Sequence, residues 1–450
     1  MDSRHVDNLD SFDPLVRRKA LEVLIGEGEE FPPDGFNLNM HFHSFFSYNA
    51  SGYSPAHITW EARKAGLYAV ALCDFDVLDG LDEFHESALS LALRACVHLE
   101  TRTFIPELSE AEINSPGEPG VAYFMGAGFA QNLREDSEQN RRLGTFREQA
   151  QKRNEELVRR INIRIPEVAL DYRSDVLPLT PSGNATERHI IGAYVDRVRK
   201  VFPGEGKRIP FWMDLLKKGK GEVEELEKSR ASLEEAVRAR LIKGGGIGYK
   251  QPGTDTFPKV DGFIAWVLSC EAIPMFAWLD GTSRGEADPA ALLEMLVSKG
   301  TRAVNIIPDR NWNVRDPGLR AVKRENLQSL VQTADRMHLP VNIGTEMNKP
   351  GLPFVDDLNG ESLRPFRETF IRGARIMVGH CLLLRYAGFS YAGKKVEAEM
   401  GRVSERNRFF GSVGALPPLS RSSAERLREA GAERAFVLIQ DSVRRGRWAV

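Results

Sequence analysis

Short apolar runs that alternate with helical stretches predict an α/β fold on a parallel sheet, open or closed into a barrel, with a helical insertion. Two observations carry the sheet: alternation runs through the first 130 residues and resumes near residue 256. A third carries the insertion, because from Gln131 to about Lys250 the chain turns highly charged, with tracts such as EQAQKRNEELVRR and GEVEELEKSRASLEEAVRARL.

In chain order, Asp13 to Gly28 has helical periodicity and ends before the turn Pro32 to Gly35. Phe36 to His43 then alternates as a half-buried strand does, which predicts Asn37, Asn39, His41 and His43 on one face. Ser54-Pro55 opens a helix through Lys64, and Ala69 to Leu72 reads as a buried strand, completing a βαβ unit. A helix near Leu81 to Leu93, a strand Cys96 to Phe104 and an apolar run Val121 to Gly126 follow. After the insertion come a helix Gly262 to Cys270, a strand Ile273 to Trp278, a helix Pro289 to Lys299 and a strand Arg302 to Ile307. A helix Arg324 to Met337 and a strand Leu339 to Glu346 close the pattern, and the basic tail is expected to be helical. The domain expectation is therefore an arm 1–35, a first half-barrel 36–130, an insertion 131–255, a second half 256–395 and a tail 396–450.

A chain of 450 residues with 42% hydrophobic content can fill a large core. Its formal charge of −2 gives no global reason to expect nucleic acid or an anionic membrane as partner. The stretch 260–279 is interrupted by Asp261 and Glu271, so a membrane span is not expected. Cys73, Cys96, Cys270 and Cys381 lie far apart with no CxxC spacing, which argues against a disulfide framework and a cysteine-rich zinc site. With a polar, acidic amino terminus, this favours a reducing cytoplasm.

His41 and His43 form an H-x-H pair whose rings project to the same side of a strand and can share one cation. Asp74 ends one other strand, Glu100 ends or nearly ends the next in VHLET, and Glu346 ends the last, with Asn348 two residues on. Each carboxylate alone could be a helix cap or a rim charge. In a barrel all these strand ends would face one pocket, where buried carboxylates need a cation or donors to offset desolvation.

The run NMHFHSFFSYNASGYSPAHITWEARKAGLYAVALCDFDVLDGLDEF resembles the opening of the PHP (polymerase and histidinol phosphatase) family, with its D-L-H-x-H-T strand, helix and T-D-H-D-T-x-x-G segment. HLE, TERHIIGAY, IPMFAWLDG and KRENLQSLVQTADRMHLPVNIGTEMN resemble later family segments in the same order, so the resemblance covers about 36–130 and 185–350. It implies a distorted (β/α)7 TIM-like barrel and metal-dependent phosphoester hydrolysis. His41, His43, Asp74 and Glu100 match ligand or near-ligand positions, Arg188 and His189 match a phosphate-contacting segment, and Glu346 replaces an aspartate. Phe75, Trp278, Asn348 and Tyr123 stand where the family has histidines. The surviving set, His41, His43, Glu100 and Glu346, suits one divalent cation, zinc or manganese, with Asp74 as base. Arg188, His189, Asn348, Phe75, Trp278 and Tyr123 would then line the substrate pocket. The expected function is a single-cation hydrolase acting on a small phosphorylated or otherwise anionic substrate. The alternative is a metal-free barrel that binds a sugar, a nucleotide or a protein partner.

Overall fold

The computed structural model describes residues 3–450. Among them, seven strands form one sheet in chain order: β1 (Asn39–Phe42), β2 (Val70–Phe75), β3 (Ala95–Phe104), β4 (Val121–Ala127), β5 (Ile273–Trp278), β6 (Ala303–Ile306) and β7 (Val341–Ile343). A parallel bridge between Phe42 and Glu346 joins the last strand to the first and closes the sheet into a barrel. The backbone of Glu346 makes that closure, its N–H donating to the His41 carbonyl (2.8 Å) and its carbonyl accepting from His43 N–H (3.0 Å).

One strand departs from the expected parallel sheet: β4 runs antiparallel to both β3 and β5, while the other pairings are parallel. The reason is in the connection from β3, where residues 106–120 are rich in proline and glycine and carry only the short 3₁₀ turn Pro106–Leu108. A parallel crossover needs a helix to span the sheet; without one the chain turns back, Ile105 N–H donating to the Gly120 carbonyl at 2.8 Å. This reversed strand is what makes the barrel distorted.

Helices sheathe the parallel strands and start where the capping signals stand. Ser54 caps Pro55–Lys64, Asp288 caps Pro289–Lys299 and Asp316 caps Pro317–Arg336, each with proline at the first turn. The outward face of the sheet contributes buried Phe42, Phe124 and Phe276, and the helices Leu81–Ser90 and Val260–Ser269 contribute Phe84 and Phe263, each burial stabilising by about 1.5–3 kcal/mol. The tail helices Arg367–Ala387 and Val403–Gly414 pack backbone to backbone, since a Cβ at Gly379 would lie 1.9 Å from the Phe410 carbonyl oxygen. No helix among the described residues is long and apolar enough to cross a membrane.

The charged segment builds an apolar core of its own. Ile161 of Glu138–Arg164, Ile190, Tyr194 and Val198 of Glu187–Val201, Trp212, Val223, and Leu233, Val237 and Leu241 of Arg230–Leu241 are buried together. Its long helix packs Phe146 against Phe263 and Trp266 of the barrel helix Val260–Ser269, and polar contacts reach the strands. The Asn184 amide donates to the carbonyls of Phe46 (3.0 Å) and Phe75 (2.8 Å), and Glu187 lies 3.8 Å from Arg102.

Candidate metal centre

Strand pairing decides which side chains enter the barrel, because neighbours in register share a face and successive residues alternate. Phe75 pairs with Glu100, Cys73 with His98, Glu100 with Met125 and Arg102 with Tyr123. Ala277 pairs with Asn305 and Asn305 with Asn342. These residues line the interior together with His41 and His43. A register shift in β1 turns Asn39 away from the two histidines, and its amide instead donates to Thr345 Oγ1 (2.7 Å) and the Phe354 carbonyl (2.9 Å).

Where β1 ends beside the middle of β3, His41, His43 and Glu100 converge, with one ligand atom from each within 4.8 Å of the others. Glu100 Oε2 lies 3.4 Å from His41 Nε2 and 3.5 Å from His43 Nε2. All three side chains are buried and none of these three atoms has a hydrogen bond. Three orphaned polar atoms in one buried spot is the cost that a cation would relieve. Bonds of about 2.1 Å in a tetrahedral site place ligand atoms about 3.4 Å apart, so the spacing fits a divalent cation. Burial alone would lower the His41 pKa, but the carboxylate of Glu100 beside it, with Glu346 further off, holds it above the ordinary value. Burial opposes ionisation of Glu100 as well, yet His41 and His43 hold its carboxyl well below the usual range.

The imidazoles are oriented from behind. His43 Nδ1 lies 3.2 Å from Ser47 Oγ, and Phe75 stacks on its ring with centroids 4.5 Å apart and planes 19° apart. His41 Nδ1 lies 3.0 Å from the Asn305 amide nitrogen. Gly344 lets β7 pass against His41, since a Cβ there would sit 2.3 Å from the His41 Cβ.

Several expected site residues stand elsewhere. Asp74 pairs with Leu99 on the outer face of β2, so it cannot act as base inside the barrel. It accepts from Ser44 N–H (2.7 Å), Ser44 Oγ (2.7 Å) and Ser47 Oγ (2.6 Å), and burial still raises its pKa above the ordinary value. Glu346 is not one of the converging ligands, because Arg310 Nη2 holds its carboxylate at 2.7 Å. Its backbone has φ of +62°, and Met347 follows at +52°, which is strained geometry for residues with side chains. Trp278 pairs with Ile306, one position out of phase with the inward Ala277–Asn305 pair, so it packs on the outer face and does not line a pocket. Arg188 is engaged by Glu235 at 2.8 Å within the insertion, and His189 Nδ1 caps its own helix by accepting from Thr186 N–H at 3.1 Å. Burial pushes the His189 pKa down to about 4, so it is a neutral packed ring edge-on to Tyr48 rather than an anion contact. Asn348 is half-buried just past the barrel closure. Tyr123 does face the interior, 6.1 Å from Phe75, with its phenol pushed up to about 12 by burial against the pull of Arg102.

Sequence reading missed Asn305, Ser47 and Arg310. Asn305 had a signal, a lone polar residue within the apolar run AVNII; Ser47 also had one, four residues after His43 in HSFFS. Arg310 had none, because its meeting with Glu346 joins the short helix Asp309–Trp312 to a strand end 36 residues on.

No family model matches this chain, and no curated protein does. The chain is similar to a solved structure of a candidate metal-dependent phosphoesterase from Bifidobacterium adolescentis, with 18% identity over 76% of this chain and 98% of that one and a TM-score of 0.45. It is also similar to an amidohydrolase from Chromobacterium violaceum solved with bound sulfate and no metal, with 15% identity over 74% of this chain and 95% of that one and a TM-score of 0.45.

Proposed function

We propose that this protein is a hydrolase that holds one divalent cation, zinc or manganese, on His41, His43 and Glu100 and acts on a small phosphorylated or otherwise anionic substrate. The observation that carries the reading is the convergence of three buried ligand atoms, each without a hydrogen bond, inside the barrel where β1 ends beside β3. A cation bound there supplies Lewis acidity toward a substrate oxygen and makes water a stronger nucleophile. The chain's own residues do the rest. Arg310, fixed by Glu346 yet 41% exposed, offers guanidinium protons to an anionic group, the part first given to Arg188. Phe75 and Tyr123 wall the site beside His43 and restrict the water that reaches it.

The same two rings favour a second reading, a barrel that stacks a sugar or a base without turning it over. Metal analysis of protein purified without chelator separates the two. About one equivalent of transition metal, lost in both His41→Ala and Glu100→Gln, together with turnover of some phosphoester or amide in a broad screen, is the expected result. Metal-free wild-type protein that also fails to take up added zinc would sink the hydrolase and leave the binding barrel.

A further inference from the structure

We propose that Asp74 acts through Ser47 as a positioning pair that fixes which nitrogen of His43 carries the proton, and so presents Nε2 bare to the cation; the claim deepens the single-cation reading and rests on it. The direction of each hydrogen bond follows from counting protons. Asp74 Oδ1 accepts from Ser44 N–H at 2.7 Å and Ser47 Oγ at 2.6 Å, and Oδ2 accepts from Ser44 Oγ at 2.7 Å. A serine hydroxyl has one proton, and Ser47 gives it to the carboxylate. What Ser47 Oγ turns toward His43 Nδ1, 3.2 Å away, is a lone pair. Nδ1 must therefore be the protonated nitrogen and the donor. In the neutral ring Nε2 then carries a lone pair, pointed at Glu100 Oε2 3.5 Å away.

Two acceptors facing each other in a buried site repel unless a cation lies between them, and Nε2 of His43 has no hydrogen bond. His41 differs. Its Nδ1 faces the Asn305 amide, which can present either its NH₂ or its oxygen by turning about one bond, and the Asn305 oxygen has no partner. The Asn305 amide therefore does not fix the tautomer of His41, whereas Ser47 holds His43 in one. All members of the pair are fully or nearly fully buried, so bulk water does not compete for these bonds.

The test reads the proton directly. In full-length, cation-free protein labelled with ¹⁵N-histidine, long-range ¹H–¹⁵N spectra should show His43 as the Nδ1–H tautomer, with the signal assigned by its loss in His43→Gln. Ser47→Ala should release that tautomer and weaken Zn²⁺ binding by about 10–100-fold, the usual cost of losing such a support. Ser47→Thr, which keeps the hydroxyl, should restore both. Asp74→Ala should act as Ser47→Ala does; if it fails to fold, Ser47→Ala still decides, since it deletes a single oxygen. A wild-type Nε2–H tautomer overturns the proposal, and so does a Ser47→Ala protein in which either the tautomer or the zinc affinity is unmoved. Because the tautomer is read without metal, a wild type that shows Nδ1–H but binds no zinc refutes the cation reading and, with it, the purpose assigned to the pair.

Discussion

Asp356 is 1% exposed, and neither of its carboxylate oxygens has a hydrogen bond; burial pushes its pKa up to about 7. An unfolded aspartate titrates near 4, so between about pH 4 and pH 7 the native state holds a proton that the unfolded chain has lost. Stability from this group is thus fullest at low pH and falls as pH rises toward 7. Asp356→Asn removes the penalty: thermal melts at pH 8 should show a gain of about 1–3 kcal/mol over wild type, shrinking toward pH 4. An equal gain at both pH values would show that charge is not the cause. At the same scale, the core of the candidate centre was legible in sequence, because the H-x-H strand and the strand that carries Glu100 are neighbours but one in the sheet. Arg310 was not, since only the folded chain brings a guanidinium against Glu346 and withdraws that carboxylate from the centre.

A strand's period of two separates what sequence motifs treat as one unit. In β2, Asp74 and Phe75 are adjacent, yet Phe75 enters the barrel and Asp74 leaves it; in β5, Ala277 faces in and Trp278 out. Element order and type were readable from apolar runs and caps, down to the bounds of Pro55–Lys64 and Pro289–Lys299. The register that assigns faces was not, because pairing is set by the closed sheet rather than by local propensity. One variant probes the point. Histidine in place of Phe75 would enter beside His43, but with Trp278 outside and Glu346 tied to Arg310 it lacks partners for another ion. Elemental analysis of Phe75→His should give a cation content no higher than wild type; two tightly held equivalents would mean that Glu346 is free to ligate after all.

Among the described residues the molecule has two large apolar cores, one in the barrel and one in the charged segment, joined by polar contacts such as Arg102 with Glu187 and by the long helix Glu138–Arg164. Separate cores open at separate free energies. Under mild denaturant, amide exchange read by mass spectrometry should lose protection in Glu205–Leu216, Lys220–Glu227 and Arg230–Leu241 before β1 to β3; simultaneous loss would show one cooperative unit. Sequence marked this segment by its charge but gave no sign of how the barrel accommodates it, and the reversed β4 supplies the answer. Ala127 pairs with Ile273, so the last residue of β4 and the first of β5 are cross-strand neighbours, and residues 128–272 amount to the loop of one antiparallel hairpin. The cost of closing a loop grows only with the logarithm of its length, so lengthening a turn of about four residues to this span costs roughly 3 kcal/mol of chain entropy, far less than the core it encloses returns. A barrel with one strand reversed therefore carries a point at which chain can be added in bulk without shifting the register of any other strand.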